Sequence, residues 1–306
     1  MAGWSFSDIP SQQGRRAVVT GTGGLGYETA LALARAGAEV TLAGRNPEKG
    51  ADSVSRIRAD VPAARIGFER LDLASLASVE DFAGRLLAES TSLDLLVNNA
   101  GVMTPPSRQA TSDGFELQFG TNYLGHFALT GRLLPLLSKA RAPRVVNLSS
   151  LAHRGGALHF DDLQWERSYR PWAAYGQSKL AMLMFAFELQ RRSDAGGWGL
   201  MSNAAHPGYA RTELIANGPG TDRWLFKLTG FIRPFASQSA AEGALPTLFA
   251  ATAPEARGGA YYGPDGFYEL KGPPKPAKAM PQAQDRKAAA KLWEVSERLT
   301  GVSFPA

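Results

Sequence analysis

The chain has 306 residues, of which 44% are apolar and 20% charged, and 33 basic residues set against 28 acidic ones give it a net charge of +5. This is the balance of an ordinary globular chain; its basic residues are too interspersed with acidic ones for a nucleic-acid footprint, although the small excess suits an anionic phosphorylated ligand. The absence of cysteine excludes disulfides, thiol catalysis and thiolate metal sites.

In chain order, the opening MAGWSFSDIPSQQGRR lacks a basic segment followed by an apolar one, and no later apolar run approaches the ~18 residues of a membrane span. A cytoplasmic chain with no membrane span is expected. Strand-like runs then alternate with helix-like ones: RAVVT at 16–20, a helix over 24–36, EVTLAG at 39–44, a helix over 47–59 and IGFERL at 66–71. The alternation continues with a helix over 75–90, LDLLV at 93–97, a long helical region over 111–137, RVVNLS at 144–149, a helix over 172–193 and LMSNAA at 200–205. Because the strands are continuous apolar runs, helices must cover both faces of their sheet. The predicted fold is α/β, a doubly wound (Rossmann) parallel sheet in a single domain over 1–306. Residues 213–234 lose the pattern and suit a small helical substrate lid, after which a helix over 237–252 and AYY at 260–262 complete the sheet region. A C-terminal extension over 271–306 comprises a Pro- and Lys-rich link at 271–281 and an amphipathic helix over 284–300.

Ligands of such sheets sit beyond the carboxyl ends of the strands, so the chemistry should lie just after each strand. After the first comes Thr20-Gly21-Thr22-Gly23-Gly24-Leu25-Gly26, TGTGGLG. It satisfies G-x-G-x-x-G and is one residue short of T-G-x-x-x-G-x-G. Glycines at a strand-to-helix turn let the backbone approach a pyrophosphate, whose charge the free N–H groups and dipole at the helix start favour. The second strand ends at Arg45-Asn46, where an NAD site would carry an acid for the ribose. An arginine there suits a 2′-phosphate and points to NADP(H) ahead of NAD(H). Tyr175 and Lys179 are four residues apart on one helix face, where an ammonium would favour the phenolate and bring a phenol of pKa near 10 toward the working range.

The motifs after successive strands occur in the order of one family, and the chain resembles the short-chain dehydrogenases/reductases. The matching elements are the glycine turn, Asp72-Leu73, Asn98-Asn99-Ala100-Gly101, Asn122, Ser150, Tyr175-Gly176-Gln177-Ser178-Lys179, and Pro207-Gly208 with Thr212. TNYLGHF at 121–127, VVNLSSLAH at 145–153 and the tail LWEVSERLTGV look most like the retinol-dehydrogenase-like and WW-domain-oxidoreductase-like branch. The resemblance favours the shortened T-G-x-x-x-G-x-G turn, and it implies an enzyme interconverting a ketone or aldehyde and an alcohol. In that scheme Tyr175 donates the proton, Ser150 hydrogen-bonds the carbonyl oxygen, Lys179 tunes Tyr175 and binds the nicotinamide ribose, and Asn122 helps hold a relay water. Gly21, Thr22, Gly24, Leu25 and Gly26 would cradle phosphate. Asp72 and Leu73 would meet adenine, Asn99, Ala100 and Gly101 the adenosine side, and Pro207, Gly208 and Thr212 the carboxamide region. Ser149 rivals Ser150, and the choice of the second serine rests on the resemblance.

The remaining residues carry blander expectations. His126 and His206 suit packing or backbone hydrogen bonding, His153 and His159 flank a surface excursion, and no metal site is expected. Asp161 and Asp162 read as a solvated loop, and Leu180, Leu183, Met184 and Phe187 as core or subunit-contact positions. Twenty-four residues separate Ser150 from Tyr175. With the lid they could wall a pocket through Trp165, Trp172, Trp224 and Phe226, which suits a bulky apolar carbonyl or alcohol substrate. The alternatives are an NAD-preferring secondary-alcohol or steroid dehydrogenase, a non-catalytic NADP(H)-sensing protein and, last, an interaction module. Family members often form a homodimer or homotetramer through the helices carrying Asn122 and Tyr175, contacts that the tail could block or extend.

Overall fold

The computed structural model describes residues 3–210 and 237–305. Strands β1 (Arg16–Thr20), β2 (Glu39–Gly44), β3 (Arg65–Arg70), β4 (Leu95–Asn98), β5 (Arg144–Leu148), β6 (Met201–Ala205), β7 (Tyr261–Pro264) and β8 (Pro274–Pro276) form one sheet in the order β3-β2-β1-β4-β5-β6-β7-β8. All pairs are parallel except β7 with β8. Chain order reverses between β1 and β4, and the crevice beyond their carboxyl ends, at Thr20 and Asn98, is where a doubly wound sheet binds its ligand.

Helices α1 (Gly24–Arg35), α2 (Pro47–Asp60), α3 (Leu76–Glu89), α4 (Leu117–Phe119), α5 (Gly125–Leu137), α6 (Pro171–Gly196), α7 (Ala240–Thr252) and α8 (Arg286–Thr300) flank the sheet. Their ends follow local chemistry. Asn46 caps α2 by accepting the Lys49 N–H ahead of Pro47, Ser239 and Glu242 form a capping box on α7, and α6 stops at Gly197 with φ +64°. The strands present apolar side chains to two clusters, one on each side of the sheet. One lies under α3, α5, α6 and α8 and contains Leu96, Phe127, Phe185 and Trp293; the other contains Val19, Leu33, Leu42 and Leu248.

Two local differences from the sequence-based prediction have physical causes. The link over 271–281 contributes β8, whose prolines are tolerated because an antiparallel edge strand need not donate every N–H. The expected helix over 111–137 begins only at Leu117. A turn with Gly114 at φ +86° precedes it, the Glu116 carboxylate caps it through the Gln118 and Phe119 N–H groups, and Gly120–Leu124 form a π turn before α5. The expected amphipathic helix of the C-terminal extension is α8, which docks on α5 and α6. Trp293 meets Phe127, Phe185 and Phe304 at ring-centroid distances of 5.1, 5.7 and 4.5 Å. The approach is close enough that a Cβ on Gly131 would lie 2.6 Å from Val302. The tail thus covers the helices through which the resemblance places subunit contacts. Leu180, Leu183 and Met184 are buried in this core, with Phe187 packed at its edge.

Candidate active site

A cleft of about 280 Å³ opens at the β1/β4 reversal. Gly21, Thr22, Gly24 and Leu25 line one wall, Arg45 and Asn46 its outer end, Asp72 and Leu73 the opposite side, and Asn99, Ala100 and Gly101 the floor. Sequence reasoning missed Gly44, Lys49, Val102 and Thr121, which also line it; only position in the fold brings them there. The turn is tight. Gly21 has φ +94° and Gly24 φ +51°, and Gly26 packs so tightly under the turn that a Cβ there would lie 2.2 Å from the Gly21 carbonyl oxygen. A cleft walled by bare backbone at a helix start fits the pyrophosphate of a dinucleotide. Arg45 is exposed at its end, paired with no carboxylate among the described residues, and so fits an additional phosphate.

At the inner end the floor meets the expected catalytic set. A Cβ on Gly101 would lie 3.0 Å from Asn122 Oδ1 and 3.6 Å from Lys179 Nζ. Asn122, within the π turn, is held on both sides of its amide. Its Oδ1 accepts the Val102 N–H at 2.7 Å, and its Nδ2 donates to the Val102 carbonyl at 3.0 Å and the Ser178 hydroxyl at 2.9 Å. The two serines after β5 face different ways. Ser149 donates to the Lys179 carbonyl at 2.8 Å, whereas the Ser150 hydroxyl accepts the Ala152 N–H at 3.2 Å and lies near enough to the Tyr175 phenol to lower its pKa.

The electrostatics differ from the expectation for this pair. Burial pushes Tyr175 up to about 12, offset in part by the Ser150 hydroxyl, and burial pulls Lys179 down to about 8. Lys179 Nζ donates to the Leu148 carbonyl at 3.1 Å and stands 5.8 Å from the Tyr175 ring centroid. Desolvation, rather than the ammonium, therefore dominates the phenol. Trp172, 59% exposed, stands edge-on to Tyr175 at 6.2 Å and offers an apolar surface at the site mouth, whereas Trp165 is buried against His159. Thr212, Trp224, Phe226 and the lid over 213–234 lie outside the described residues.

Behind Ser150 lies a polar cluster that spacing did not reveal. His153, assigned above to a surface excursion, is fully buried and donates from Nδ1 to the Ser150 carbonyl at 2.7 Å. His206 accepts the Gly208 N–H on Nδ1 at 3.2 Å and donates from Nε2 to Glu269 at 3.1 Å, and Arg154 reaches the same carboxylate at 2.7 Å. Burial opposes ionisation of Glu269, but His206, the Lys278 N–H and Arg154 outweigh it and hold the group down at about 2. Glu269 comes 63 residues after His206 and 115 after Arg154, so no short-range signal could have found it. Gly208 packs against this segment, where a Cβ would lie 2.3 Å from the Leu270 carbonyl, and Pro207 accepts a Gln238 amide N–H. Asp161 and Asp162 are solvated loop residues, the first paired with Arg167 and the second capping the Glu166 N–H. No group of three metal-ligating side chains and no helix long and apolar enough to span a membrane occurs among the described residues.

The chain is similar to known proteins in sequence and in fold. A family model described as short chain dehydrogenase matches residues 15–220. Human retinol dehydrogenase 13 is 42% identical over 298 residues, covering 95% of this chain and 86% of that protein. Mouse polyprenol dehydrogenase is 43% identical over 300 residues, covering 96% and 86%. The crystal structure of an uncharacterised protein from Mycobacterium paratuberculosis superimposes with a TM-score of 0.82 at 40% identity over all of both chains. Family match, relatives and fold agree, and the chain belongs to the short chain dehydrogenase family of oxidoreductases, in its retinol-dehydrogenase-like branch.

Proposed function

We propose that this chain interconverts an alcohol and the corresponding aldehyde or ketone with NADP(H), on a long apolar substrate of the isoprenoid or retinoid kind. The observation that carries this reading is the grouping of Ser150, Tyr175 and Lys179, with Lys179 beside Gly101 in the floor of a glycine-walled cleft whose outer end holds Arg45, unpaired among the described residues. The named activities of the two relatives, dehydrogenation of retinol and of polyprenol, support the substrate class, as does the exposed Trp172 beside Tyr175.

When bound, the nicotinamide supplies or accepts the hydride. In the reductive direction the Tyr175 O–H gives its proton to the substrate oxygen while the Ser150 hydroxyl donates a hydrogen bond to the same atom. With its pKa raised to about 12 the Tyr175 phenol stays protonated at neutral pH, the form that reduction uses, whereas alcohol oxidation needs the phenolate, which the Lys179 ammonium would favour. Lys179, lowered to about 8, is poised to pass the replacement proton inward. The Asn122 amide is committed to Val102 and Ser178, which leaves its backbone carbonyl as the acceptor for a relay water. Glycines of the turn would hold the pyrophosphate, Asp72 and Asn99 would flank the adenosine, and Arg45 would pair with the 2′-phosphate.

The test is coenzyme oxidation with retinal, a polyprenal and short aliphatic and aryl carbonyls, with NADPH and NADH compared. Faster turnover with the isoprenoid aldehydes and NADPH is expected. Arg45→Ala should weaken NADPH about tenfold to a hundredfold and NADH hardly at all, as loss of a charge-assisted phosphate contact predicts. Equal weakening of both coenzymes would remove the cofactor assignment.

A further inference from the structure

We propose that His126 is a positioning residue, a buried clasp that joins the cofactor cradle at Thr20 to the backbone carbonyl of Asn122 in the catalytic turn. His126 sits one turn after Asn122, at the start of α5, with no exposed surface. Its Nδ1 lies 2.9 Å from the Asn122 carbonyl oxygen and its Nε2 lies 2.9 Å from Thr20 Oγ1.

The hydrogen positions follow from the partners. A carbonyl oxygen only accepts, so Nδ1 carries the hydrogen. Burial keeps the imidazole neutral, lowering its pKa to about 4, so Nε2 is a lone pair and the Thr20 hydroxyl must donate to it. Thr20 Oγ1 also accepts the N–H groups of Asn99 and Ala100, each at 2.9 Å. Its three hydrogen-bonding positions are thereby filled, with two N–H groups entering and one O–H leaving. The Val97 carbonyl, at 3.3 Å, is the competing and longer acceptor.

Each end of the clasp bears on a different task. At one end the imidazole fixes the orientation of the hydroxyl that pins Asn99 and Ala100, both floor residues of the cofactor cleft, against the end of β1. At the other it occupies one lone pair of the Asn122 carbonyl and leaves the second for the relay water, so this half rests on the reading of Asn122 given under Proposed function. Packing alone would need neither nitrogen, and a leucine would fill the space.

Two isosteres separate the halves. The amide N–H of His126→Asn falls near Nδ1 and can still donate to the Asn122 carbonyl, while the Thr20 hydroxyl is left with only the longer Val97 acceptor. The amide oxygen of His126→Gln falls near Nε2 and can still accept from Thr20, while Asn122 loses its donor. Two quantities are measured: the NADPH dissociation constant by fluorescence titration without substrate, and kcat with saturating retinal. His126→Asn should weaken NADPH about fivefold and change kcat less than about twofold; His126→Gln should lower kcat about fivefold and leave NADPH within about twofold, the size expected for one buried hydrogen bond in each case. Thr20→Val should weaken NADPH further, and adding His126→Asn to it should cause no additional loss. Equal losses of both quantities in both variants, unchanged behaviour in both, or additivity with Thr20→Val would each overturn the clasp. If the wild type does not turn over retinal, the proposed function fails, but the titration and the Thr20 cycle still decide the cofactor half.

Discussion

Replacing Asn122 with alanine probes the joint between fold and chemistry. The amide makes three hydrogen bonds, two of them to the backbone of Val102. Its removal leaves the Val102 N–H and carbonyl unpaired, whereas the Ser178 hydroxyl keeps the Tyr175 carbonyl as a partner at 2.8 Å. A buried unpaired group costs about 1–3 kcal/mol. Because Val102 is only half-buried, water can reach it, and the lower part of that range applies, giving about 2–3 kcal/mol for the pair. With the large urea dependence of a chain this long, that corresponds to a fall of about 1 M in the unfolding midpoint with m unchanged. The assay is urea unfolding followed by circular dichroism. Asn122→Asp is an informative second variant, because it can still accept the Val102 N–H but sets a carboxylate against the Val102 carbonyl, and it should be no more stable than the alanine form. A midpoint within experimental error of the wild type for Asn122→Ala would refute the idea that this side chain latches the cleft floor to the π turn.

Three further outcomes follow from the same geometry. Trp293→Ala should cost about 3–5 kcal/mol in urea unfolding, as expected for emptying a buried tryptophan site. Trp293→Phe should cost far less, because the indole Nε1 has no hydrogen-bond partner among the described residues and its removal relieves an unsatisfied group; a large loss in the phenylalanine form would contradict the docking of α8. Gly26→Ala forces a methyl group against the Gly21 carbonyl and should weaken NADPH about tenfold or more while the fold persists, so an unchanged titration would show that the turn is not the cradle. The Glu269 carboxyl is held at about 2 against an ordinary 4.5, so its stabilising contribution is present above about pH 4.5 and is lost as pH falls toward 2. The stability advantage of wild type over Glu269→Gln should therefore shrink between neutral pH and about pH 3, and an advantage independent of pH would rule out the ion-pair account.

The parallel sheet was legible because its strands are apolar runs bounded by turn residues, and the site because functional side chains follow strand ends. Ser150 follows β5, whereas Tyr175 and Lys179 lie within α6, where their four-residue spacing and the family resemblance, and not a strand end, single them out. Elements without a repeating pattern were hidden. Two prolines and a lysine in Pro274–Pro276 look like a linker, and only the position of β7 makes them an edge strand. Helical periodicity also runs on through 111–116, where a carboxylate cap and a positive-φ glycine in fact start the helix late. Long-range polar partners leave no trace in spacing, which is why His153 was assigned to the surface and Glu269 escaped notice. Charge proximity at Tyr175 is visible in a sequence, but the depth of burial that raises the phenol is not.

The central claim is that Tyr175 carries the proton in a coenzyme-dependent alcohol–carbonyl interconversion. Its most direct test is rapid-mixing NADPH oxidation with retinal by the wild type and by Tyr175→Phe, each first shown to bind NADPH by fluorescence titration. Tyr175→Phe should bind the coenzyme as the wild type does and lose at least about a hundredfold in rate, as expected for removing a general acid. An undiminished rate in that variant would contradict the account.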